Sequence, residues 1–215
     1  TGVIYPDFLA YFNEIVGPSN GYRVLVDSSL DWGQDLPALA RYVREEGLSS
    51  VYLSWFGEAR PSQYDIPHRF IPSKPDELSD VHTRVYHPDY PPPGAYAISA
   101  TNLQGLLFDD HAIFEFFLRR EPIAQPGYSI KIYDVPRLLD PEAERVRVGL
   151  GSTQIDRVPA GVFEEVWRTN DLELRWFDAD DSCIQPFGGD TWYVVDDDAA
   201  SSEPPCPGWG RAETI

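Results

Sequence analysis

The feature that most constrains the fold is a strand–helix–strand pattern within residues 22–57. The run YRVLVD at residues 22–27, bounded by PSNG and DSS, predicts a buried strand, and SVYLSWFG at residues 50–57 predicts a second one. Between them, apolar residues recur at the spacing i, i+3, i+4 and i+7, which places them on one helical face: Leu36, Leu39, Ala40 and Val43. Because the intervening segment is long enough for a helical crossover, the two strands are expected to run parallel.

The ends of this helix are also marked in the sequence. Asp35 favours the positive end of the helix dipole, and Pro37 suits the first turn. Gly47 is a natural stop, because glycine readily adopts the left-handed conformation that ends many helices.

The later part of the chain alternates in the same way. Strands are predicted for GAYAISA at residues 94–100 and YSIKIYDV at 128–135, with a helix at 111–120 between them. VRVGLG and LELRWFDA predict strands around a helix at 160–170, and the Gly-Gly pair at 188–189 predicts a hairpin. This alternation predicts an α/β fold with a mainly parallel, doubly wound, three-layer sheet and a mixed or antiparallel C-terminal extension.

Composition divides the chain further. Residues 58–94 are rich in proline and lack periodicity, which predicts a long excursion over the surface. The expected organisation is a connecting segment at residues 1–21, an α/β domain at 22–137, an α/β extension or small second subdomain at 138–197, and an acidic, proline-rich tail at 198–215.

Charge narrows the classes of partner. The formal charge of −18 at pH 7 argues against nucleic acids and anionic membrane surfaces, because both would repel the chain. The sequence contains no apolar run of about 18 residues, so no membrane span is expected within it. The two cysteines, Cys183 and Cys206, are either a disulfide pair or two unrelated thiols.

The first candidate site lies where two predicted strands end. In doubly wound sheets ligands bind beyond the carboxyl ends of the strands, where DSSLDWGQDL and TNLQG follow the first and third strands. An indole beside carboxylates and amides suits a sugar, which stacks its apolar face and hydrogen-bonds through its hydroxyls. The candidate ligand-binding residues are Asp27, Asp31, Trp32, Gln34, Asp35, Asn102 and Gln104.

The same residue types also fit a purely structural role. In a buried turn, Asp27 and Asp31 would accept backbone N–H bonds and cap the helix. Asn102 and Gln104 would equally suit a strand-end turn that satisfies its own side chains. The residue types alone leave both roles open.

A second candidate is a divalent-cation site at Asp178 and Asp180. Their Asp-x-Asp spacing after a strand is the pattern that holds a metal against the diphosphate in nucleotide-sugar-dependent glycosyltransferases. Calcium or manganese is the cation that this pair would hold. A solvated turn is the competing explanation in so acidic a chain, and no other cofactor is expected.

Other chemistries lack support. His68, His82 and His87 share one proline-rich loop, but their spacing matches no zinc pattern, and His111 is expected to be structural. No Gly-x-Ser-x-Gly elbow is present, and VGLGSTQI lacks the lysine and full glycine pattern of a phosphate-binding loop. No catalytic residue is therefore identified.

Three stretches carry a resemblance to a known family. They are YPDFLAYFNEIVGPSNGYRVLVDSSLDWGQDLPALARYV followed by VYLSWFG, then PPPGAYAISATNLQG, then REPIAQPGYSIKIYDV. Together, over about residues 4–135, they resemble the C-terminal, extracytoplasmic portion of bacterial membrane glycosyltransferases related to the dolichyl-phosphate-mannose protein mannosyltransferases. Asp27, Asp31, Trp32, Gln34 and Asp35 match the family motif, whereas Ser29 stands where the family has asparagine.

The resemblance implies a parent enzyme and a location. Such enzymes take a sugar from a polyprenyl-phosphate carrier at the outer face of the membrane, and their catalytic aspartate lies in a membrane module that this chain does not contain. Residues 1–21 would connect to that module, which would be the first partner, and a glycan or protein acceptor would be the second. The expected location is the extracytoplasmic face of the cell membrane.

Three hypotheses for the function follow. The preferred one is a domain of a polyprenyl-phosphate-sugar-dependent glycosyltransferase that is non-catalytic alone and helps to recognise the acceptor or glycan. The second is an autonomous carbohydrate-active enzyme, either a nucleotide-sugar transferase or a glycoside hydrolase with paired carboxylates. The third is a scaffold in which the Asp/Trp turn only locks the sheet.

Overall fold

The computed structural model describes residues 34–74, 85–177 and 191–195. Within these residues the chain forms two compact units. The first contains residues 34–74 and 94–135, and the second contains all the others. Within the described residues the chain therefore passes between the units at Pro93–Gly94 and again at Val135–Pro136.

The first unit is built on a four-stranded sheet with the order β2-β1-β3-β4. The strands are β1 (Val51–Ser54), β2 (His68–Phe70), β3 (Gly94–Ser99) and β4 (Ile130–Val135). β1 pairs in parallel with both β2 and β3, whereas β3 and β4 are antiparallel. The carboxyl ends of β1, β2 and β3 therefore meet at one edge, beside the start of β4.

Helix α1 (Leu36–Glu45) covers one face of this sheet. It begins with a proline in its first turn and is followed by Gly47 at φ 63°, so the predicted helix and its ends are confirmed. Leu36, Leu39 and Val43 are buried against a core formed by alternate residues of the strands, including Leu53 and Ile132.

The other face of the sheet carries aromatic side chains. Tyr52 and Tyr96 stack across β1 and β3 with ring centroids 4.7 Å apart. Phe117 lies 4.9 Å from Tyr96 and 5.1 Å from Tyr133, also between ring centroids. Three short helical turns complete the unit: a 3₁₀ turn at Pro61–Tyr64, α2 (Ala100–Leu103) and α3 (Glu115–Leu118).

The second unit contains a separate three-stranded sheet. Its strands are β5 (Val146–Gly151), β6 (Leu172–Phe177) and β7 (Thr191–Val195), in the order β6-β5-β7. Both pairings are parallel. Between β5 and β6 the chain forms a 3₁₀ turn at Ile155–Arg157 and a π-type helix at Val162–Trp167, whose apolar residues pack on Val148 and Leu150.

The fold class is therefore mixed α/β, with one mixed sheet and one parallel sheet. The prediction of a mixed or antiparallel C-terminal extension is wrong for the described strands. The helical segment between β5 and β6 returns the chain to the same end of the sheet, and such a crossover produces parallel neighbours. The antiparallel pair lies instead in the first unit, between β3 and β4.

Several predicted segments lie outside the described residues. They are the strand at 22–27, the hairpin glycines at 188–189, the connecting segment at 1–21 and the tail at 198–215. In the proline-rich excursion, the structure adds the edge strand β2, which the sequence did not predict. Among the helices of the described part, none has the length and apolar character needed to cross a membrane.

Candidate functional site at the carboxyl ends of β1 and β3

Buried hydroxyl groups line the carboxyl end of β1. Ser54, the last residue of β1, is fully buried, and its Oγ donates to the carbonyl oxygen of Pro72 over 2.7 Å. The Oγ of Ser73 donates to the carbonyl of Ile71 over 2.8 Å and accepts from the amide of Trp55 over 3.2 Å. These bonds tie the segment after β2 to the end of β1.

Asn102 extends this network from β3. The strand ends at Ser99, whose Oγ accepts from the Asn102 amide over 3.5 Å at the start of α2. The side-chain Nδ2 of Asn102 then donates to Ser54 Oγ over 3.1 Å. One buried amide therefore joins the carboxyl ends of two parallel strands, which is the position where α/β sheets bind ligands.

Two polar atoms of this region lack a hydrogen-bond partner. They are Asn102 Oδ1 and Thr101 Oγ1, and both residues are at least nine-tenths buried. Leaving a buried polar atom unpaired costs about 1–3 kcal/mol, so native proteins rarely do so without a ligand, an ordered water or a strained state in compensation. These atoms are therefore candidates for contact with a ligand.

Asp35 has a different environment from Asn102. Its carboxylate is 2% exposed and does not cap α1. Instead its Oδ2 accepts three hydrogen bonds from the start of β4: from the Tyr128 amide over 2.9 Å, the Ser129 amide over 2.7 Å and the Ser129 hydroxyl over 2.7 Å. The carboxylate thus fastens the N-terminus of α1 to β4.

Gly127 makes this close approach possible. It has φ 63°, and a Cβ at this position would overlap the Asp35 carboxylate. Glycine is therefore required both for its backbone conformation and for the space that it leaves. The carbonyl of Ser129 in the same turn accepts from the Ala100 amide over 2.6 Å, which links Asp35 indirectly to the end of β3.

The remaining residues of the first candidate site are only partly located. Asp27, Asp31 and Trp32 lie outside the described residues. Gln34 is half-buried one residue before Asp35, and Gln104 is half-buried at the C-terminus of α2. Of the predicted residues, the structure thus shows Asp35 and Asn102 in defined hydrogen-bond networks.

Ser54, Ser73 and Thr101 belong to this region but were not predicted as ligand-binding residues. A serine that follows an apolar strand is common, so Ser54 and Ser73 give no distinctive sequence signal. Thr101 stands beside Asn102 in the predicted strand-end turn, and only its unpaired oxygen distinguishes it.

The metal candidates are not brought together in the described part of the chain. Asp178, Asp180 and His82 lie outside it, and no group of three potential metal-ligating side chains occurs within it. His68 and His87 belong to different units. The Nδ1 of His68 lies 2.6 Å from the carbonyl oxygen of Ile66, which is a local turn contact.

His87 is a buried structural residue of the second unit. Its Nδ1 accepts from the amides of Asp89 and Tyr90, each over 3.2 Å, so Nε2 carries the proton and donates to the Val158 carbonyl over 3.1 Å. Burial lowers the pKa of His87, and its interactions with Val158, Asp89 and Asp156 oppose this shift only in part. The neutral imidazole thus holds residues 87–90 against Val158.

Tyr90 adds a second contact between the same segments. Its hydroxyl donates to the Glu164 carboxylate, and its ring stacks on Phe163 with centroids 4.8 Å apart. Burial, followed by the bond to Glu164, raises the pKa of Tyr90 to about 12. The hydroxyl and the ring of Tyr90 therefore both pack residues 85–93 against the π-type helix.

Comparison of the chain with models of protein families, with curated proteins and with solved structures gives no match.

Proposed function

We propose that this chain is the extracytoplasmic domain of a membrane glycosyltransferase that uses a polyprenyl-phosphate-linked sugar. In this proposal the domain is non-catalytic alone and helps to bind or orient the acceptor glycan or protein. Catalysis belongs to the membrane-embedded remainder of the parent protein, which is also the first partner of the domain. The domain itself needs no cofactor for this role.

The observation that carries the recognition role is the pair of unpaired buried atoms, Thr101 Oγ1 and Asn102 Oδ1. They lie just beyond the carboxyl end of β3, and Asn102 is hydrogen-bonded to the end of β1. Ligands of parallel α/β sheets bind at this edge, and sugar hydroxyls are well suited to pair with hydroxyl and amide groups. The geometry therefore supports a glycan as the ligand class.

The sequence resemblance supports the parent enzyme and its location. It covers about residues 4–135, which include all four strands of the first sheet. In the proposed site Trp32 supplies a flat apolar surface for a sugar ring, while Asp27, Asp31, Gln34 and Gln104 supply further hydrogen bonds. Asp35 stabilises the site indirectly, because its carboxylate fixes the N-terminus of α1 to the start of β4.

Glycan binding by the purified domain tests this proposal. A glycan array followed by calorimetric titration should identify a bound sugar, and Trp32→Ala should weaken its binding about tenfold or more without loss of folding, since loss of a stacked aromatic ring removes one to a few kcal/mol. Trp192→Ala is the matched control, because Trp192 is 44% exposed in the second unit. Absence of any glycan binding by the unmodified domain would contradict the proposal.

A scaffold is the second candidate, and Asp35 is the observation that favours it. This carboxylate belongs to the motif on which the resemblance depends, yet its Oδ2 is occupied by three internal hydrogen bonds. If Asp31 has a similar role, Asp31→Ala will lower the melting temperature strongly, and no glycan will bind to the unmodified domain. The recognition proposal expects glycan binding together with a smaller change in stability.

A further inference from the structure

We propose that Thr101 Oγ1 and Asn102 Oδ1 form a subsite that receives a hydrogen-bond-donating hydroxyl group of the ligand. The inference rests on the proposed glycan-recognition role and specifies the chemistry of one contact. It concerns residues in the first unit, at the junction of β3 and α2.

The direction of each hydrogen bond in the network fixes the orientation of the Asn102 amide. Ser54 has a single hydroxyl proton, which it gives to the carbonyl oxygen of Pro72. Its Oγ can therefore only accept from Asn102, so Nδ2 must face Ser54. If the amide were flipped, two acceptors would face each other and the bond would be lost.

This orientation leaves Oδ1 as a pure acceptor. A carbonyl oxygen can pair only with a donor, so the group that satisfies it must carry an O–H or N–H. Carboxylate oxygens, ether oxygens and fully ionised phosphates cannot fill this position. Thr101 Oγ1 can both donate and accept, and a sugar hydroxyl has the same two capacities. A sugar hydroxyl can therefore pair with either atom.

Thr101 allows binding to be separated from stability. Its hydroxyl makes no hydrogen bond within the protein, so Thr101→Val removes no internal partner and keeps the shape of the side chain. Replacing an unpaired buried hydroxyl with a methyl group is expected to leave stability unchanged or to raise it. A ligand contact at this hydroxyl would nevertheless be lost.

The experiment compares methyl glycosides of common hexoses with their monodeoxy derivatives. Affinities are measured by NMR titration for the unmodified domain, Thr101→Val and Thr101→Ser. For a glycoside that binds, Thr101→Val should weaken binding about 3- to 10-fold, as expected for loss of one hydrogen bond, whereas Thr101→Ser should bind normally. One monodeoxy derivative should bind the unmodified domain with an affinity reduced by a similar factor. Its affinity for Thr101→Val should be only a little lower still, because the same hydrogen bond is already absent.

Thr153→Val provides the control, because Thr153 is also buried, at 7% exposed against 4% for Thr101, but lies in the second unit. Equal affinity of Thr101→Val and the unmodified domain for the bound glycoside would overturn the subsite while leaving the recognition role intact. A marked fall in the melting temperature of Thr101→Val, or its failure to fold, would also overturn the subsite, because the hydroxyl would then be satisfied internally by a buried water. If the unmodified domain binds none of the glycosides, the recognition role and the subsite both fail.

Discussion

The side-chain amide of Asn102 donates to the hydroxyl of Ser54 over 3.1 Å, and so connects the ends of two parallel strands, β3 and β1. Because the Ser54 hydroxyl donates its hydrogen bond to the Pro72 carbonyl, the connection continues to the segment after β2. The edge of the sheet where a ligand is expected is thus held by a directional network. At its end, Asn102 Oδ1 has no hydrogen-bond partner, and in the proposed function it pairs with a ligand.

Asp35→Asn should destabilise the first unit. The three hydrogen bonds to Oδ2 end on a buried carboxylate, and the neutral amide that replaces it is a weaker acceptor for them. We expect a loss of about 1–3 kcal/mol in the free energy of unfolding, measured by urea denaturation. Asp134→Asn is the control, because Asp134 is exposed on β4 and should change stability by less than about 0.5 kcal/mol. Equal effects of the two substitutions would show that the Asp35 contacts contribute nothing.

Two glycines with the same backbone angle permit a matched comparison. Gly47 and Gly127 both have φ 63°, but a Cβ at Gly47 meets no atom within 4 Å, whereas one at Gly127 overlaps Asp35. Gly47→Ala should therefore lower the free energy of unfolding only by the strain of placing alanine in the left-handed conformation, about 1–2 kcal/mol. Gly127→Ala should cost about 1–3 kcal/mol more, since the Asp35 contacts must open. Thermal unfolding checks this order, and a Gly47→Ala variant less stable than Gly127→Ala contradicts it.

Acid should destabilise the second unit through His87. Because burial lowers the pKa of His87 in the folded protein, the unfolded chain, with a pKa near 6.5, takes up the proton first. The contribution of His87 to the free energy of unfolding is therefore complete above about pH 6.5. It falls as the pH is lowered through that value, by at most about 1.4 kcal/mol per pH unit for one group. Nδ1 accepts hydrogen bonds from the amides of Asp89 and Tyr90. A protonated Nδ1 could no longer accept them, and its N–H would face the two amide N–H groups.

Hydrogen exchange of the β5 amides between pH 7.5 and 5.5 measures this effect. His87→Gln should be less stable at pH 7.5 and should show a weaker dependence on pH. His111→Gln is the control, because His111 is exposed in the first unit and should leave the dependence unchanged. An unaltered pH dependence in His87→Gln would assign the acid sensitivity to other groups.

Asn170→Ala should destabilise the second unit more than an average polar substitution. The side chain is 1% exposed, donates to the carbonyls of Pro91 and Pro136, and accepts from the Leu138 amide over 2.7 Å. It thereby joins two segments of the second unit, at Pro91 and at Pro136–Leu138, to the segment just before β6. We expect a loss of about 2–4 kcal/mol in the free energy of unfolding, against less than about 0.5 kcal/mol for the exposed Gln154→Ala. A loss below about 1 kcal/mol for Asn170→Ala would contradict this role.

The sequence predicts those elements whose signals are local. Helix α1 was predictable because its apolar spacing, first-turn proline and terminal glycine all agree. β1, β3 and β4 are apolar runs long enough to stand out. β2 was missed because its three residues, His-Arg-Phe, are partly exposed on an edge strand and carry no apolar run.

Features that depend on distant contacts were not predictable. The predicted helix at 111–120 is a single α-helical turn, α3, in which Phe117 reaches the aromatic face of the sheet. The predicted antiparallel or mixed pairing of the C-terminal strands was wrong. Whether neighbouring strands are parallel depends on the path of the segment that connects them, and the sequence of a strand does not show it. Asn102 was named as a candidate, but its bond to Ser54 spans 48 residues and depends on the register of β1 and β3.

The most direct test of the central claim is an amide NMR titration of the isotope-labelled domain with the glycan selected on the array. The account predicts saturable shifts centred on Ser54, Ser73, Thr101 and Asn102, with the β5 and β6 amides unchanged. Binding whose shifts centre on another surface, or the absence of shifts at saturating glycan, would contradict a recognition site at the carboxyl ends of β1 and β3.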